Sequence, residues 1–213
     1  MKTRIVTAAV CIPLFLFVII MGGWWLAIPL ILLTLLAVAE YLQLVQRIQP
    51  QERSAWLLLG SAYIILGFLS LLGLRLSHHN CLVAFWLLMT IWVTDSAAYF
   101  VGKKYGRHKL APQISPNKTW EGTLAGAAAG MLLAGIFFSI AFHVNFFASL
   151  LISLFVSSIG QVGDLVESKV KRLAGVKDSG KLFPGHGGVL DRFDSIMLSA
   201  PFAYILSLLI VGR

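Results

Sequence analysis

Long apolar stretches dominate this sequence and limit what it can fold into. A helix that crosses a membrane needs about 20 mostly apolar residues, and seven such stretches follow one another: 5–21, 24–45, 56–76, 81–102, 122–142, 145–166 and 195–211. Charged residues make up only 12% of the chain, about half the roughly 25% of soluble domains. This pattern excludes a soluble globular domain and a disordered chain. It predicts an all-α integral membrane protein, a polytopic bundle of about seven transmembrane helices.

The basic residues predict how the bundle is oriented. If the N-terminus is cytoplasmic, all of the 17 basic residues except Arg75 and Arg213 fall in cytoplasmic segments. Lys and Arg concentrate on that side of membranes, so we expect an odd number of spans and a C-terminus outside. The net charge of +8 then reflects loops beside anionic lipid, and we expect no nucleic acid partner. A signal peptide is the alternative for the first stretch, but the apolar run is about twice the expected length.

The spans divide the chain into two predicted regions. Residues 1–76 form an N-terminal region of about three spans, with a tight turn at Gly22-Gly23, and residues 77–213 form a catalytic region with cytoplasmic loops at 103–121 and 167–194. Cys11 and Cys81 lie inside apolar stretches, which favours small core side chains over a disulfide or a metal site.

Acidic residues are scarce, so their positions are informative. Seven of the nine lie between positions 95 and 194, while Glu40 and Glu52 resemble ordinary charges at the membrane interface. Asp95 lies within an apolar stretch, where an ionisable group is costly and is by default a functional candidate. A structural hydrogen bond to another span is the alternative for this residue.

A polar stripe is predicted where the sixth span ends. Asp164, Glu167, Ser168, Lys171 and Arg172 have the spacing i, i+3, i+4, i+7 and i+8, which places them on one helical face if the span continues into the cytosol. The alternative is a solvated face with stabilising i, i+4 ion pairs.

The last loop combines glycines with carboxylates. Gly185, Gly187 and Gly188 allow backbone amides to approach an anion. Asp191 and Asp194 have the spacing i, i+3 at the start of the last span, so both can face one site. Several carboxylates together suit Mg²⁺, which commonly binds one or two of them plus substrate phosphates.

Two further features of this loop bear on its chemistry. Residues 175–181 nearly form a P-loop, but Leu182 stands where Ser or Thr is required. For His186 we favour phosphate contact or a structural role in the loop over a general base. Neither a nucleophile elbow nor a Cys/His pair near the acids indicates a covalent nucleophile.

The earlier cytoplasmic loop is also suited to phosphate. Pro112 and Pro116 favour an extended, turn-rich path. Lys118 and Thr119 then precede the fifth span, and a helix N-terminus beside a lysine attracts phosphate.

Several ordered motifs together resemble one enzyme family, phosphatidate cytidylyltransferase (CDP-diacylglycerol synthase). The resemblance is close over about 92–195 and loose at the N-terminus. The segments that carry it are Lys2-Thr3-Arg4-Ile5, Thr94-Asp95-x-x-Ala98-Tyr99, residues 115–122, Ser168-x-x-Lys171-Arg172, Lys177-Asp178-Ser179-Gly180, residues 184–188 and Leu190-Asp191-Arg192-x-Asp194. Members of this family usually run longer, with additional spans between the N-terminal pair and the span of Asp95.

The resemblance implies a reaction and roles for the residues. CTP and phosphatidate would give CDP-diacylglycerol and pyrophosphate, with Asp164 and Asp191 as the carboxylates of a Mg²⁺ centre and a second, monovalent cation compatible with the site. Three further acids would be ligands or orienting groups: Glu167, Asp178 and Asp194. Phosphates would be held by Ser168, Lys171, Arg172, Lys177 and Arg192, with Lys118 on either substrate, and Asp95 is an unassigned site residue.

The resemblance also implies a homodimer in the inner (cytoplasmic) membrane, in contact with membrane lipid and with its active site facing the cytosol. Two other functions stay open. A related CTP-dependent enzyme acting on another lipid phosphate, such as an isoprenoid one, would keep the same motifs. A transporter or scaffold would also have several spans, but would not need acids and glycines concentrated in one loop.

Overall fold

Helices form most of the protein in a computed structural model. The structure describes residues 2–77, 81–183 and 187–211. The helices are α1 (Lys2–Met21), α2 (Gly23–Val45), α3 (Pro50–Leu76), α4 (Leu82–Tyr105), α5 (Trp120–Ala129), α6 (Gly135–Phe142), α7 (Phe146–Leu173) and α8 (Leu190–Ile210). A π-helical turn, Gly130–Ala134, joins α5 to α6, so the two form one continuous rod. The predicted all-α fold is confirmed.

Six of the seven predicted spans are helices that are long and apolar enough to cross a membrane. They are Gly23–Val45, Pro50–Leu76, Leu82–Tyr105, Trp120–Phe142, Phe146–Leu173 and Leu190–Ile210. The first predicted span is helical too, and the apolar part found within it is Ala9–Met21. The protein is therefore a multi-pass membrane protein.

The turn between the first two helices is as tight as predicted. Gly22 and Gly23 both have positive φ angles, 64° and 51°, which residues with a side chain rarely adopt. The Arg75 side chain closes this turn, because its Nε donates to the backbone oxygen of Ile19 at 2.9 Å and its Nη2 to that of Ile20 at 3.1 Å. α1 is thereby anchored to the end of α3.

The loop after α4 folds into a small hairpin. Strands β1 (Lys109–Ala111) and β2 (Ser115–Thr119) pair antiparallel, which agrees with the extended path predicted from the prolines. Thr119 then caps α5, since its hydroxyl oxygen accepts from the amide of Gly122 at 3.2 Å. Lys118 is therefore held directly before a helix N-terminus, as predicted.

Polar pairs and a close glycine contact set the spacing of the central helices. In the buried contact of α4 with α7, the Thr94 and Ser157 hydroxyls lie 2.7 Å apart, and the Trp86 indole donates to Ser153 at 3.0 Å. Between α7 and α8, a Cβ at Gly163 would lie 2.7 Å from the backbone oxygen of Asp194. This absence of a side chain brings the acidic ends of α7 and α8 together.

Candidate active site

A cavity of about 840 Å³ opens between the helices and has two chemically different halves. Its apolar half comes from α1, α2 and α4, with Phe15, Val18, Leu32 and Trp92 among the lining residues. Its polar half comes from α4, from the ends of α7 and α8, and from the loop between those two helices. This lining suits a ligand with a charged head and an apolar tail.

Ten of the thirteen predicted site residues line this one cavity. They are Asp95, Asp164, Ser168, Lys171, Arg172, Lys177, Asp178, Asp191, Arg192 and Asp194. Of the other three, Lys118 and Glu167 reach the site through ion pairs, and His186 lies outside the described residues. The sequence motifs therefore converge in space, although four elements supply them.

Asp164 pairs with the hairpin that precedes α5. Its Oδ2 lies 2.6 Å from Nζ of Lys118, and its Oδ1 accepts from the Ser168 hydroxyl one turn later at 3.3 Å. The Lys118 ammonium also lies 3.5 Å from the backbone oxygen of Gln161. The first predicted metal carboxylate thus already balances one positive charge.

Asp191 accepts four hydrogen bonds, more than any other described carboxylate that lines the cavity. Its Oδ1 accepts from Nζ of Lys171 at 2.6 Å. Its Oδ2 accepts from the Ser179 amide at 2.8 Å, the Ser179 hydroxyl at 2.9 Å and the Gly188 amide at 2.8 Å. A buried carboxylate with these four donors fixes the loop around the start of α8.

Glu167 lies at the edge of the stripe and faces away from the main cavity. Its Oε2 lies 2.5 Å from the Lys171 ammonium, and the residue lines a smaller apolar cavity of about 190 Å³ with Tyr41, Tyr63 and Met197. Glu167, Ser168 and Lys171 are buried, so a solvated face is the wrong interpretation for them. Glu167 and Asp191 instead both form ion pairs with Lys171.

Three carboxylates from different helices are neighbours in the polar half. Asp95, Asp164 and Asp194 all line the cavity, and α4, α7 and α8 each supply one of the three. Within the described part of the chain, the Asp95 side chain makes no hydrogen bond and is exposed to the cavity. A structural hydrogen bond to another span therefore does not explain Asp95.

Arg172 connects the loop between α4 and α5 with the loop between α7 and α8 at the edge of the cavity. Its Nε donates to the backbone oxygen of Ile114 at 3.1 Å and its Nη1 to that of Val176 at 3.0 Å. Lys177, Asp178 and Arg192 are exposed beside it. These exposed side chains are accessible to a charged ligand.

Glu40 was predicted to be an ordinary interface charge, and that interpretation was wrong. Its carboxylate accepts from the amides of Val189 and Leu190 at 3.0 and 3.2 Å. Its Oε2 also lies 3.2 Å from the Ser179 hydroxyl, whose one proton it shares with Asp191. Glu52, in contrast, is exposed and accepts from the Trp56 indole at 3.3 Å. The sequence separation of 149 residues between Glu40 and Val189 explains why no local pattern signalled the contact.

Comparison of the sequence with known proteins relates this chain to a family. A sequence model of the cytidylyltransferase family matches residues 2–66 and 48–210. The chain belongs to this family. The matched ranges contain every predicted site residue and also Glu40, so the family match and the cavity concern the same part of the molecule.

Curated family members from bacteria are similar over much of the chain, and those compared here are named phosphatidate cytidylyltransferase. The Bacillus subtilis (strain 168) protein is 43% identical over 177 residues, which are 82% of this chain and 66% of that protein. The Staphylococcus haemolyticus protein is 34% identical over 259 residues, with 97% and 98% covered. The Staphylococcus aureus (strain COL) protein is 41% identical over 155 residues, with 72% and 58% covered. The chain thus spans just under two thirds of the first relative's length.

Proposed function

We propose that this protein transfers CMP from CTP to phosphatidate, giving CDP-diacylglycerol and pyrophosphate. The observation that carries the proposal is that one cavity combines an apolar half with a cluster of acids and cations. A phosphate oxygen of phosphatidate would attack the α-phosphorus of CTP, and the bond from that phosphorus to the pyrophosphate oxygen would break. The relatives' shared name, phosphatidate cytidylyltransferase, supports the same reaction.

The cations of the cavity are suited to the phosphates of both substrates. Lys177 and Arg192 are exposed at the mouth, where a nucleoside triphosphate can enter from water. Lys171 and Ser168 lie deeper, beside Asp191 and Asp164, and are suited to hold the phosphate at the reacting centre. Such transfer depends mainly on positioning and on charge stabilisation, which this arrangement supplies without a covalent intermediate.

We also propose that the acids hold Mg²⁺, with Asp164 and Asp191 as its ligands. Among the described residues no three His, Cys, Asp or Glu side chains form a ready metal cluster. Mg²⁺ does not need one, because it commonly binds one or two carboxylates and completes its shell with water and phosphate. Each of these two carboxylates already holds a lysine ammonium at 2.6 Å, so both positions favour a cation. When bound, Mg²⁺ would neutralise charge on the CTP phosphates.

The arrangement in the membrane belongs to the same proposal. The basic loops predict that the cavity mouth faces the cytosol, with the apolar half open to lipid of the inner membrane. A homodimer and a second, monovalent cation are further parts of the hypothesis that the family resemblance suggests.

The deciding experiment is incorporation of radiolabelled CTP into lipid by the purified protein. Label should enter lipid only when phosphatidate and Mg²⁺ are both present, and the product should be CDP-diacylglycerol. Incorporation with an isoprenoid phosphate but not with phosphatidate would support the related enzyme instead. No incorporation with either lipid would refute a cytidylyltransferase activity.

A further inference from the structure

The carboxylate of Glu40 reaches from α2 to the first residues of α8. Oε1 accepts from the Val189 amide at 3.0 Å, and Oε2 accepts from the Leu190 amide at 3.2 Å. Val189 is the N-cap of α8 and its own side chain makes no capping hydrogen bond. The first amides of a helix need acceptors from elsewhere, and a carboxylate is stabilising at this end. Glu40 therefore provides the cap that the local sequence lacks.

Two glycines of the α7–α8 loop leave space for this carboxylate. A Cβ at Gly180 would lie 2.5 Å from Oε1 of Glu40, and one at Gly188 would come into contact with Oε2. The loop therefore closes around the Glu40 side chain, and a larger residue at either position would displace it. Both glycines make room for the internal carboxylate, whereas the sequence position of Gly188 alone suggests only a loop that can approach an anion.

Ser179 connects Glu40 to the reacting centre. Its hydroxyl lies between two carboxylates, 3.2 Å from Oε2 of Glu40 and 2.9 Å from Oδ2 of Asp191. The Ser179 amide also donates to Oδ2 of Asp191, at 2.8 Å. Release of Glu40 would therefore loosen both the helix start and the loop residue that hold Asp191 in place.

We infer that Glu40 is a positioning residue that keeps the α7–α8 loop and Asp191 in the arrangement that binds CTP. This inference rests on the proposed function. Glu40 is not among the residues that line the main cavity, so it acts through Ser179 and the start of α8 and not by contact with substrate. Through this side chain, α2 controls a nucleotide site that lies on α7 and α8.

The test is Glu40→Gln, which keeps the side-chain volume and one acceptor oxygen. If the loop is then ordered in only a tenth of the molecules, the apparent affinity for CTP falls by the same factor. We expect KM for CTP to rise about tenfold, with kcat at saturating CTP reduced less than about threefold, because bound CTP restores the loop. KM for phosphatidate should stay unchanged. Glu52→Gln, an exposed acid at the adjacent helix, is the matched control and should resemble the wild type.

Hydrogen exchange of residues 187–191 without CTP gives a readout that does not depend on activity. The amides of Val189 and Leu190 donate to Glu40, so their exchange in Glu40→Gln should be about tenfold faster. Wild-type protein that transfers no CMP would refute the proposed function, while faster exchange in the variant would still support the positioning role. Unchanged hydrogen exchange in Glu40→Gln, or a fall in kcat with no change in KM for CTP, would overturn that role. If Glu40→Gln does not fold, Glu40→Asp keeps the charge with a shorter reach and must show the same direction of change.

Discussion

Replacing Asp191 by asparagine tests whether its charge, and not merely its hydrogen bonding, is needed at the reacting centre. An asparagine oxygen can take the place of Oδ2 and keep the donors from Ser179 and Gly188. The new amide group then faces the Lys171 ammonium, so the hydrogen bond to that ammonium is lost, and the remaining donors bond to a neutral oxygen. Lys171 keeps Glu167 as its partner at 2.5 Å, so no buried charge is left alone.

These contacts give the expected sizes of the two effects. Loss of one charge-assisted bond lowers the free energy of unfolding by about 1.5–3 kcal/mol, less than the roughly 3–5 kcal/mol of stranding a buried charge. Loss of a preorganised charge at the reacting centre lowers turnover by about 10²-fold or more. The two effects are separable, because turnover can be measured at temperatures where the variant is still folded.

The assay compares Asp191→Asn with two controls in CMP transfer and in thermal unfolding in detergent. Ser153→Ala leaves the buried Trp86 indole without its acceptor, at a similar cost of about 1–3 kcal/mol, and Ser153 does not line the cavity. Lys104→Gln removes a cation that lies over the Tyr105 ring, outside the cavity. Both controls should keep most activity. If Asp191→Asn loses no more turnover than Ser153→Ala, the proposed role of Asp191 is refuted.

Three further predictions concern the metal, the orientation and the apolar half of the cavity. A chelator should abolish CMP transfer and Mg²⁺ should restore it, with Ca²⁺ a poor substitute because of its larger coordination shell; full activity after chelation would contradict the metal centre. Single cysteines at Gln113 and Val176, in a background without native cysteines, should resist an impermeant thiol reagent in intact cells, and labelling from outside would reverse the predicted orientation. A bulky maleimide on Cys11, which lines the cavity, should raise KM for phosphatidate, whereas the same label on Cys81 should not.

Helix boundaries show where apolarity is a good guide and where it is not. The last span was predicted to begin at residue 195, but α8 begins at Leu190. Its beginning is polar, since Asp191, Arg192 and Asp194 lie there and line the cavity. Hydropathy alone therefore places the start of this helix too late in the sequence. The polar stripe required the sixth span to continue past its apolar run, and α7 does so, ending at Leu173. That requirement depended on helical spacing and not on apolarity.

The stripe on α7 shows a second limit of sequence patterns. At about 100° per residue, the stripe from Glu167 to Arg172 covers about 140° of the helix surface. Side chains at its two edges therefore meet different neighbours. Glu167 faces the smaller cavity beside Tyr63, while Arg172 donates to the backbone of the hairpin loop. Periodicity predicted one face, but only the packing of α7 against its neighbours separates the roles along it.

The sequence by itself determined the membrane bundle, the polar stripe and most of the charged residues that line the cavity, because hydropathy, helical spacing and motif order are local properties of the chain. The tertiary structure alone decided that Glu40 caps α8, that α1 and α2 supply the apolar half of the cavity, and that Lys171 bridges Glu167 and Asp191. Each of these depends on how helices pack across the bundle. A carboxylate on α2 carries no local sign of which distant amides it will meet, because those partners are brought together only when the helices assemble.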